Sequence, residues 1–217
     1  MRKVFAATLF VALIALAAWA VDASQLLSAA TQTVQTMSQS NQIPSSLLQQ
    51  AKCITVVPKL TKAGFIVGGE HGNGVVSCRN TSGWSAPAFI TITGGSIGLQ
   101  AGGEHQEYVL LMNDQGKQEL TSGHWDLGAE AVAAGPTGDS AGRTESTGWK
   151  APVLSYAHSS GAYAGANLQG SKLNVDNDTI HNLYGSNATI QSLLNGDTPP
   201  PASAQQFLAA LQQAAGK

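Results

Sequence analysis

The chain has 217 residues, of which 43% are hydrophobic and only 11% are charged, and it contains 24 glycines and two cysteines. This length suits one domain of ordinary size with short appendages. A formal net charge of −2 argues against a nucleic-acid-binding protein, which needs a basic surface.

The N-terminus predicts export. A positively charged start precedes an apolar run over residues 4–18, and residues 18–20 have the A-x-A form of a signal cleavage site. We expect residues 1–20 to be a secretory signal, cleaved after Ala20 or Ala23, and the mature chain to lie in the periplasm or cell envelope. The apolar run is near the lower length limit for a membrane span, so an uncleaved anchor is the alternative.

Two helices are predicted before the glycine-rich part of the chain. In residues 24–40, Leu27, Val34 and Met37 recur at helical spacing and form one apolar stripe, while the opposite face carries Ser, Thr and Gln without charge. Pro44 opens a second helix that should end near residue 52.

Cys53 and Cys78 are the two cysteines of the chain. An even number of cysteines in an exported protein favours a disulfide. We expect the bridge to form if the strands that carry the two residues are neighbours, and a pair of buried free thiols is the alternative.

The middle of the chain predicts about eight short strands. β-branched and alternating runs occur at 53–58, 63–69, 74–79, 84–93, 96–102, 107–113, 127–135, 151–159 and 162–175. Turn formers at 70–73 ("EHGN") and 113–116 ("NDQG") separate strands, and 136–148 is a polar loop. Glycines inside strands are typical of strongly curved sheets. We therefore predict an α+β fold with a curved, glycine-rich antiparallel sheet or barrel.

The C-terminal part returns to helical patterns. Helices are expected near 178–185 and 188–195, which would complete a domain over residues 24–195. Residues 196–203 form a proline-rich linker, and 204–215 read as an amphipathic C-terminal helix.

Residues 94–98 fit the G-x-S-x-G pattern of a serine hydrolase, with Ser96 in the nucleophile position. That motif needs a strand before the serine and a helix after it. Here the serine begins an alternating stretch, and Gly102-Gly103 would break a helix. We predict a strand residue, and no enzyme.

Candidate metal sites are equally weak. The sequence "GGEH" occurs at 68–71 and 102–105, but neither copy has a second ligand at helical spacing. Residues 174–185 lack the glycine and glutamate that an EF-hand loop requires. We expect no metal and no cofactor.

The order of short motifs resembles the SYLF lipid-binding domain over about residues 25–212. The matching pieces are Ile43-Pro44, Ala51-Lys52-Cys53-Ile54, Val57-Pro58, Lys62-Ala63-Gly64-Phe65, Gly68-Gly69, Gly72-Asn73-Gly74-Val75, Trp84-Ser85-Ala86-Pro87-Ala88-Phe89, Gly95-Ser96-Ile97-Gly98-Leu99-Gln100, Leu111-Met112-Asn113, Ala133-Ala134-Gly135-Pro136, Ser155-Tyr156, Gly161-Ala162-Tyr163-Ala164-Gly165 and Tyr184-Gly185. The signal and the cysteine pair look like the bacterial exported branch of this family. The resemblance implies phospholipid binding without enzymatic activity.

The expected partners are therefore phospholipids or a membrane surface, with an envelope protein as a second candidate. Nucleic acid is not expected because of the net charge, and actin is not expected because an exported chain would not meet it. The candidate lipid-binding residues are an inserting stripe and three headgroup contacts: Leu27, Val34, Met37, Lys52, Lys59 and Lys62. The alternative for the stripe is packing on the sheet as core. The alternative function is a structural or protein-interaction module of the envelope without lipid binding.

Overall fold

A computed structural model describes residues 22–40, 43–64, 67–97, 102–135, 149–159, 162–165 and 168–216. The predicted secretory signal and the predicted polar loop at 136–148 lie outside these residues. In the part of the chain described here, no helix is both long and apolar enough to cross a membrane.

The described helices lie at both ends of the chain and once inside it. They are α1 (Ala23–Ser40), α2 (Ser45–Gln50), α3 (Asp114–Thr121), α4 (Asn177–Tyr184), α5 (Ile190–Asn195) and α6 (Gln205–Ala215), with a 3₁₀ turn at Ala202–Ala204 before α6. The predicted helices at 24–40, from Pro44, near 178–185 and 188–195 and at 204–215 are confirmed, with ends shifted by a few residues.

The strands form one sheet. They are β1 (Cys53–Gly64), β2 (Val67–Asn80), β3 (Gly83–Trp84), β4 (Ala88–Ile97), β5 (Gly102–Met112), β6 (His124–Leu127), β7 (Val132–Ala134), β8 (Val153–Ser159), β9 (Ala162–Gly165) and β10 (Ser171–Val175). The strand order is β6-β10-β4-β2-β1-β5-β8-β7, with β3 beside β2 and β9 beside β8. Neighbours within the described sheet are antiparallel except β7 and β8, which are parallel.

The two ends of this sheet are joined by a short connection. Strands β6 and β7 are the terminal strands, yet only residues 128–131 separate them in sequence. Five residue steps reach at most roughly 18 Å, and a turn closed by Ala131 N–H donating to the Gly128 carbonyl shortens the span further. The sheet is therefore curled into a nearly closed barrel, which confirms the predicted α+β class.

The half of the barrel near the cysteines is covered on both faces. Five consecutive residues of β1, from Cys53 to Val57, have no exposed surface. Such a run is typical of a strand buried on both sides rather than on one. Helix α1 packs against β1 and β2 on the outer face, and α6 packs against α1 and α2.

Two predicted turns are wrong. Gly64 pairs with Gly68, so the β1–β2 hairpin turns between them and the "EHGN" stretch lies inside β2. The glycines there provide space rather than a turn, because a Cβ at Gly72 would lie 2.8 Å from Leu60 Cδ1. The "NDQG" stretch instead begins α3, where the Asn113 side chain caps the helix by accepting a hydrogen bond from the backbone N–H of Gly116, the third helical residue.

Several predicted strands are also divided differently, among them 63–69, which spans the β1–β2 turn, and 84–93, which is split between β3 and β4. Strand β4 ends at Ile97 and β5 begins at Gly102, so the predicted strand at 96–102 spans the connection between them, and residues 98–101 lie outside the described part. The predicted strands at 127–135 and 162–175 each become two strands, because Gly128 and Gly170 lie in turns.

Candidate functional site

The apolar stripe of α1 lies in the protein core. Leu27 and Met37 are each 1% exposed and Val34 is fully buried. Their helix face packs on the outer face of the sheet and against α6, as amphipathic helices of globular proteins do. In this structure the three side chains pack against the sheet as part of the core, which was the alternative to membrane insertion. They would reach a membrane only if α1 left the sheet.

The three lysines assigned to headgroup contact do not form one patch. Lys52 precedes β1, is exposed and lies 3.7 Å from the carboxylate of Asp114. Lys59 is exposed farther along the strand. Lys62 lies near the other end of β1, roughly 30 Å from Lys52 at the rise of a strand, and its side chain is only 16% exposed.

Lys62 belongs to a buried polar cluster, which we define as Lys62, Glu70, Gln106, Tyr108 and Ser171. The ammonium donates to Tyr108 Oη at 3.0 Å and lies 3.6 Å from Glu70 Oε2. Tyr108 donates to Gln106, and Ser171 donates to Glu70. Burial opposes the charge of Lys62, but the hydrogen bond to Tyr108 and the Glu70 carboxylate outweigh it, so the pKa of Lys62 is raised.

The polar cluster lies on the inner face of the sheet. Thr33 of α1 donates to Glu107 at 3.0 Å, so α1 covers the face that carries Glu107. Adjacent residues of a strand point to opposite faces, which places Tyr108 on the other face. The polar groups of these residues pair with one another. The cluster therefore acts as a polar layer of the core and leaves few polar groups for a ligand.

Arg79 fastens the C-terminal helix to the rest of the domain. Its guanidinium donates to four backbone carbonyls at 2.5–3.3 Å, those of Leu48, Ala51, Ala215 and Gly216. The last carbonyls of a helix lack partners within the helix, so Arg79 completes the end of α6. Burial lowers the pKa of Arg79 below its ordinary value. Sequence reasoning missed this contact, because nothing near Arg79 in the sequence points to α6.

The surface of α1, α2 and α6, which we call the helix layer, carries no charged side chain. Residues 23–51 and 198–216 contain no Asp, Glu, Lys or Arg. Its exposed polar side chains are amides and hydroxyls: Ser24, Gln25, Ser28, Gln32, Gln35, Thr36, Ser38, Gln39, Ser45, Gln49, Gln50, Ser203, Gln205, Gln206 and Gln213. About 25% of the residues of ordinary soluble domains are charged, whereas the centres of protein interfaces are depleted in charge. The helix layer is therefore a candidate interaction surface.

Two cavities lie in the helix layer, the first between α1 and the start of α6 and the second between α1, α2 and the end of α6. The first, of about 300 Å³, is lined by Ser24, Leu27, Ser28, Thr31, Ala202, Ser203 and Gln206. The second, of about 280 Å³, is lined by Met37, Ser38, Ile43, Pro44, Ser45, Leu48, Gln213 and Ala214. Both have buried apolar floors and rims of uncharged polar side chains, so two residues of the predicted lipid stripe, Leu27 and Met37, form cavity floors.

A third cavity, of about 610 Å³, lies between the sheet and the start of α4 and is lined by His71, Asn73, Thr91 and residues 175–178. Its Asp176 carboxylate is engaged, because it accepts hydrogen bonds from the backbone and hydroxyl of Thr179. Among the described residues, no three His, Cys, Asp or Glu side chains are placed to hold a metal ion.

Two of the short motifs meet in the core, and the predicted disulfide is present. Gly135 lies against the ring of Tyr156, where a Cβ would overlap the ring. Burial raises the pKa of Tyr156. Cys53 and Cys78 are paired residues of β1 and β2 and form a disulfide, which confirms the prediction made from the cysteine count.

Similar proteins are found in fungi and animals. An SH3 domain-containing protein of Schizosaccharomyces pombe is 34% identical over 188 residues, which cover 84% of this chain and 44% of that protein. LAS seventeen-binding protein 3 of Saccharomyces cerevisiae is 34% identical over 179 residues, 80% of this chain and 39% of that protein. SH3 domain-containing YSC84-like protein 1 of Homo sapiens is 33% identical over 169 residues, 76% of this chain and 49% of that protein. The chain thus spans less than half the length of these relatives.

These comparisons overturn the predicted partners. Phospholipids were expected and actin was excluded, but one relative is named for binding LAS seventeen, and the matching family model is described as an actin regulator. The names point to protein partners rather than to lipids. The relatives described here are eukaryotic, so assignment to a bacterial exported branch stays a prediction.

The family is shown by a model that spans more than half of the chain. The model described as "Ysc84: Las17-binding protein actin regulator" matches residues 93–214, which include strand β5, the motifs around Gly135 and Tyr156, α4, α5 and all but the last residue of α6. The chain therefore belongs to the Ysc84 family, the family of the SYLF domain.

Proposed function

We propose that this chain is a non-enzymatic protein-interaction module that binds an actin-regulatory protein through its helix layer. The observation that supports the partner class is the family itself, whose description names Las17 binding and actin regulation. The chain spans less than half the length of each of these relatives. The partner is therefore a proposal for this domain, and the binding activities of the full-length relatives are not assigned to it.

The helix layer suits a protein partner better than the other described surfaces. Its exposed side chains are uncharged, and each amide or hydroxyl both donates and accepts hydrogen bonds. Such groups lose less on leaving water than charged groups do, which is why interface centres are depleted in Lys, Glu and Asp. Of the other described helices, α3 carries Asp114, Lys117 and Glu119 and α4 carries Asp178, while the six-residue α5 is uncharged but offers a smaller surface.

A binding role is also supported by the structure around Ser96, which does not have the geometry of a hydrolase nucleophile. Ser96 lies within β4 and pairs with Gly68 of β2. A nucleophile elbow requires a turn from strand to helix, whereas only residues 98–101 separate β4 from β5. The relatives are likewise named for binding or for domain content and not for a reaction.

Co-sedimentation and pull-down with purified proteins test this proposal. The purified chain would be mixed with Las17, the partner that the family description names, and separately with actin filaments. We expect saturable binding to at least one of them. If neither binds at micromolar concentrations, while the chain is folded by circular dichroism, the proposed partner class is wrong.

A further inference from the structure

Helices α1 and α6 run side by side in the same direction, with a cavity at each end of their contact. Ser24 and Ser28 of α1 share the first cavity with Gln206, whereas Ser38 shares the second with Gln213. The residues that line the two cavities on α1 are centred about ten residues apart, which is about 15 Å at the rise of a helix. The two cavities are therefore separate docking points on one line.

Each cavity is large enough for one bulky apolar side chain and has an apolar floor to receive it. Volumes of about 300 and 280 Å³ lie at the lower end of the range for small-molecule pockets. Leu27 forms the floor of the first cavity, and Met37 and Leu48 form the floor of the second, all nearly fully buried. An apolar side chain seated on either floor would be ringed by serine hydroxyls and glutamine amides.

Charge and backbone chemistry restrict the partner segment further. Residues 23–51 and 198–216 contain no charged residue, and Asp22 and Arg79, which lie beside the two cavities, are already engaged by Ser24 and by backbone carbonyls. A charged side chain buried between the cavities would therefore lose water without gaining an adjacent counter-charge. The exposed amides of Gln32 and Gln35, on α1 between the residues that line the two cavities, can pair with free backbone N–H and C=O groups, which an extended segment offers and a helix does not. In an extended segment, residues i and i+4 face the same side about 13 Å apart, close to the separation of the cavities.

We propose that the partner presents an extended, uncharged segment that carries two apolar side chains four residues apart, one for each of the two cavities of the helix layer. This inference rests on the proposed function for the surface that it uses, but not on Las17 being the partner. In this arrangement the serine and glutamine side chains around the cavities select a segment without charged residues.

Peptide selection on the immobilised, full chain tests the inference without a known partner. A random twelve-residue library displayed on phage would be selected for binding, and the enriched peptides would be titrated against variants. Ser28→Trp fills the first cavity and Ser38→Trp fills the second. Thr36→Trp is the matched control, because Thr36 is an exposed position of the same helix that lines neither cavity.

We expect uncharged peptides with two apolar residues at i and i+4, whose affinity falls about tenfold in each cavity variant and changes less than about twofold in Thr36→Trp. Enrichment of charged or single-anchor peptides, equal effects of all three tryptophans, or no enrichment would overturn the inference. A change of oligomeric state in Ser28→Trp or Ser38→Trp, measured by light scattering, would assign the groove to a second copy of the chain and also overturn it. Selected peptides of the expected kind together with no binding of Las17 would refute the proposed partner alone.

Discussion

The guanidinium of Arg79 stacks on the ring of Trp84 at 4.5 Å, and both side chains donate to the same carbonyl oxygen, that of Gly216, at 3.0 Å. The pair joins strands β2 and β3 to the end of α6. Helix α6 in turn packs against α1 and α2, so this contact helps to hold the helix layer together. The integrity of the candidate interface therefore depends on a residue outside it.

Removal of Arg79 should loosen α6. We expect Arg79→Ala to reduce the free energy of unfolding by about 3 kcal/mol, because several carbonyls lose a charged donor. Arg79→Lys should recover only part of this, since an ammonium lacks the planar fork that reaches several acceptors. Urea denaturation measures the change, with Lys59→Ala at an exposed position as control. Faster amide hydrogen exchange confined to the helix layer would show that the lost stability comes from loosening of α6. Unchanged exchange in α6 would contradict that explanation.

Gly135 is predicted to tolerate no side chain. In Gly135→Ala the new methyl group would overlap the ring of Tyr156, which is fully buried and has little room to move. Overpacking of this kind costs about 1–3 kcal/mol. Gly95→Ala is the matched control, because a Cβ at Gly95 meets nothing within 4 Å. Thermal unfolding compares the two, and an equal loss in both variants would show that backbone freedom rather than packing sets the requirement.

The raised pKa of Lys62 predicts a stability change at high pH. A folded-state pKa above the ordinary 10.5 means that the folded chain holds this proton more tightly than the unfolded chain. The resulting stabilisation is complete below about pH 10 and is lost as the pH rises through the folded-state pKa. Lys62→Met should therefore remove part of the alkaline loss of stability. Urea midpoints between pH 9 and 11.5 measure it, and identical slopes for both proteins would contradict the assignment.

The disulfide should contribute substantially to stability. Cys53 and Cys78 are 25 residues apart in sequence, and closing a loop of that length stabilises by about 3–4 kcal/mol on the chain-entropy model. We expect the Cys53→Ala/Cys78→Ala double variant to lose about this amount in urea denaturation. Unchanged stability of the double variant would contradict this contribution.

Some parts of the fold could be predicted because their signals are local. The α1 stripe repeats at helical spacing, and the neighbouring positions of Cys53 and Cys78 agree with an even cysteine count. The β1–β2 turn was misplaced because Gly72 and Gly74 are typical of turns, yet here they give room to Leu60, Val57 and Ile90 of adjacent strands. Local sequence does not distinguish a glycine that turns the chain from one that lets strands pack closely.

The candidate site was harder to predict than the fold. The uncharged face of residues 24–40 was visible in the sequence, but its association with α6 depends on a contact between segments about 170 residues apart. The same long-range packing buries Leu27, Val34 and Met37, which by periodicity alone suit a membrane as well as a core. Lys62 was assigned to a surface because its partners, Glu70 and Tyr108, come from other strands.

The central claim is that the chain binds a protein through the uncharged helix layer, and the affinity for Las17 of charge-carrying variants tests it most directly. Gln35→Lys and Gln206→Lys place a charge on exposed positions of α1 and α6, and Gln118→Lys places the same charge on α3. The account predicts that the Gln35→Lys/Gln206→Lys double variant binds at least about tenfold more weakly while Gln118→Lys binds normally. Equal affinity of all three proteins would contradict the claim and move the binding site away from the helix layer.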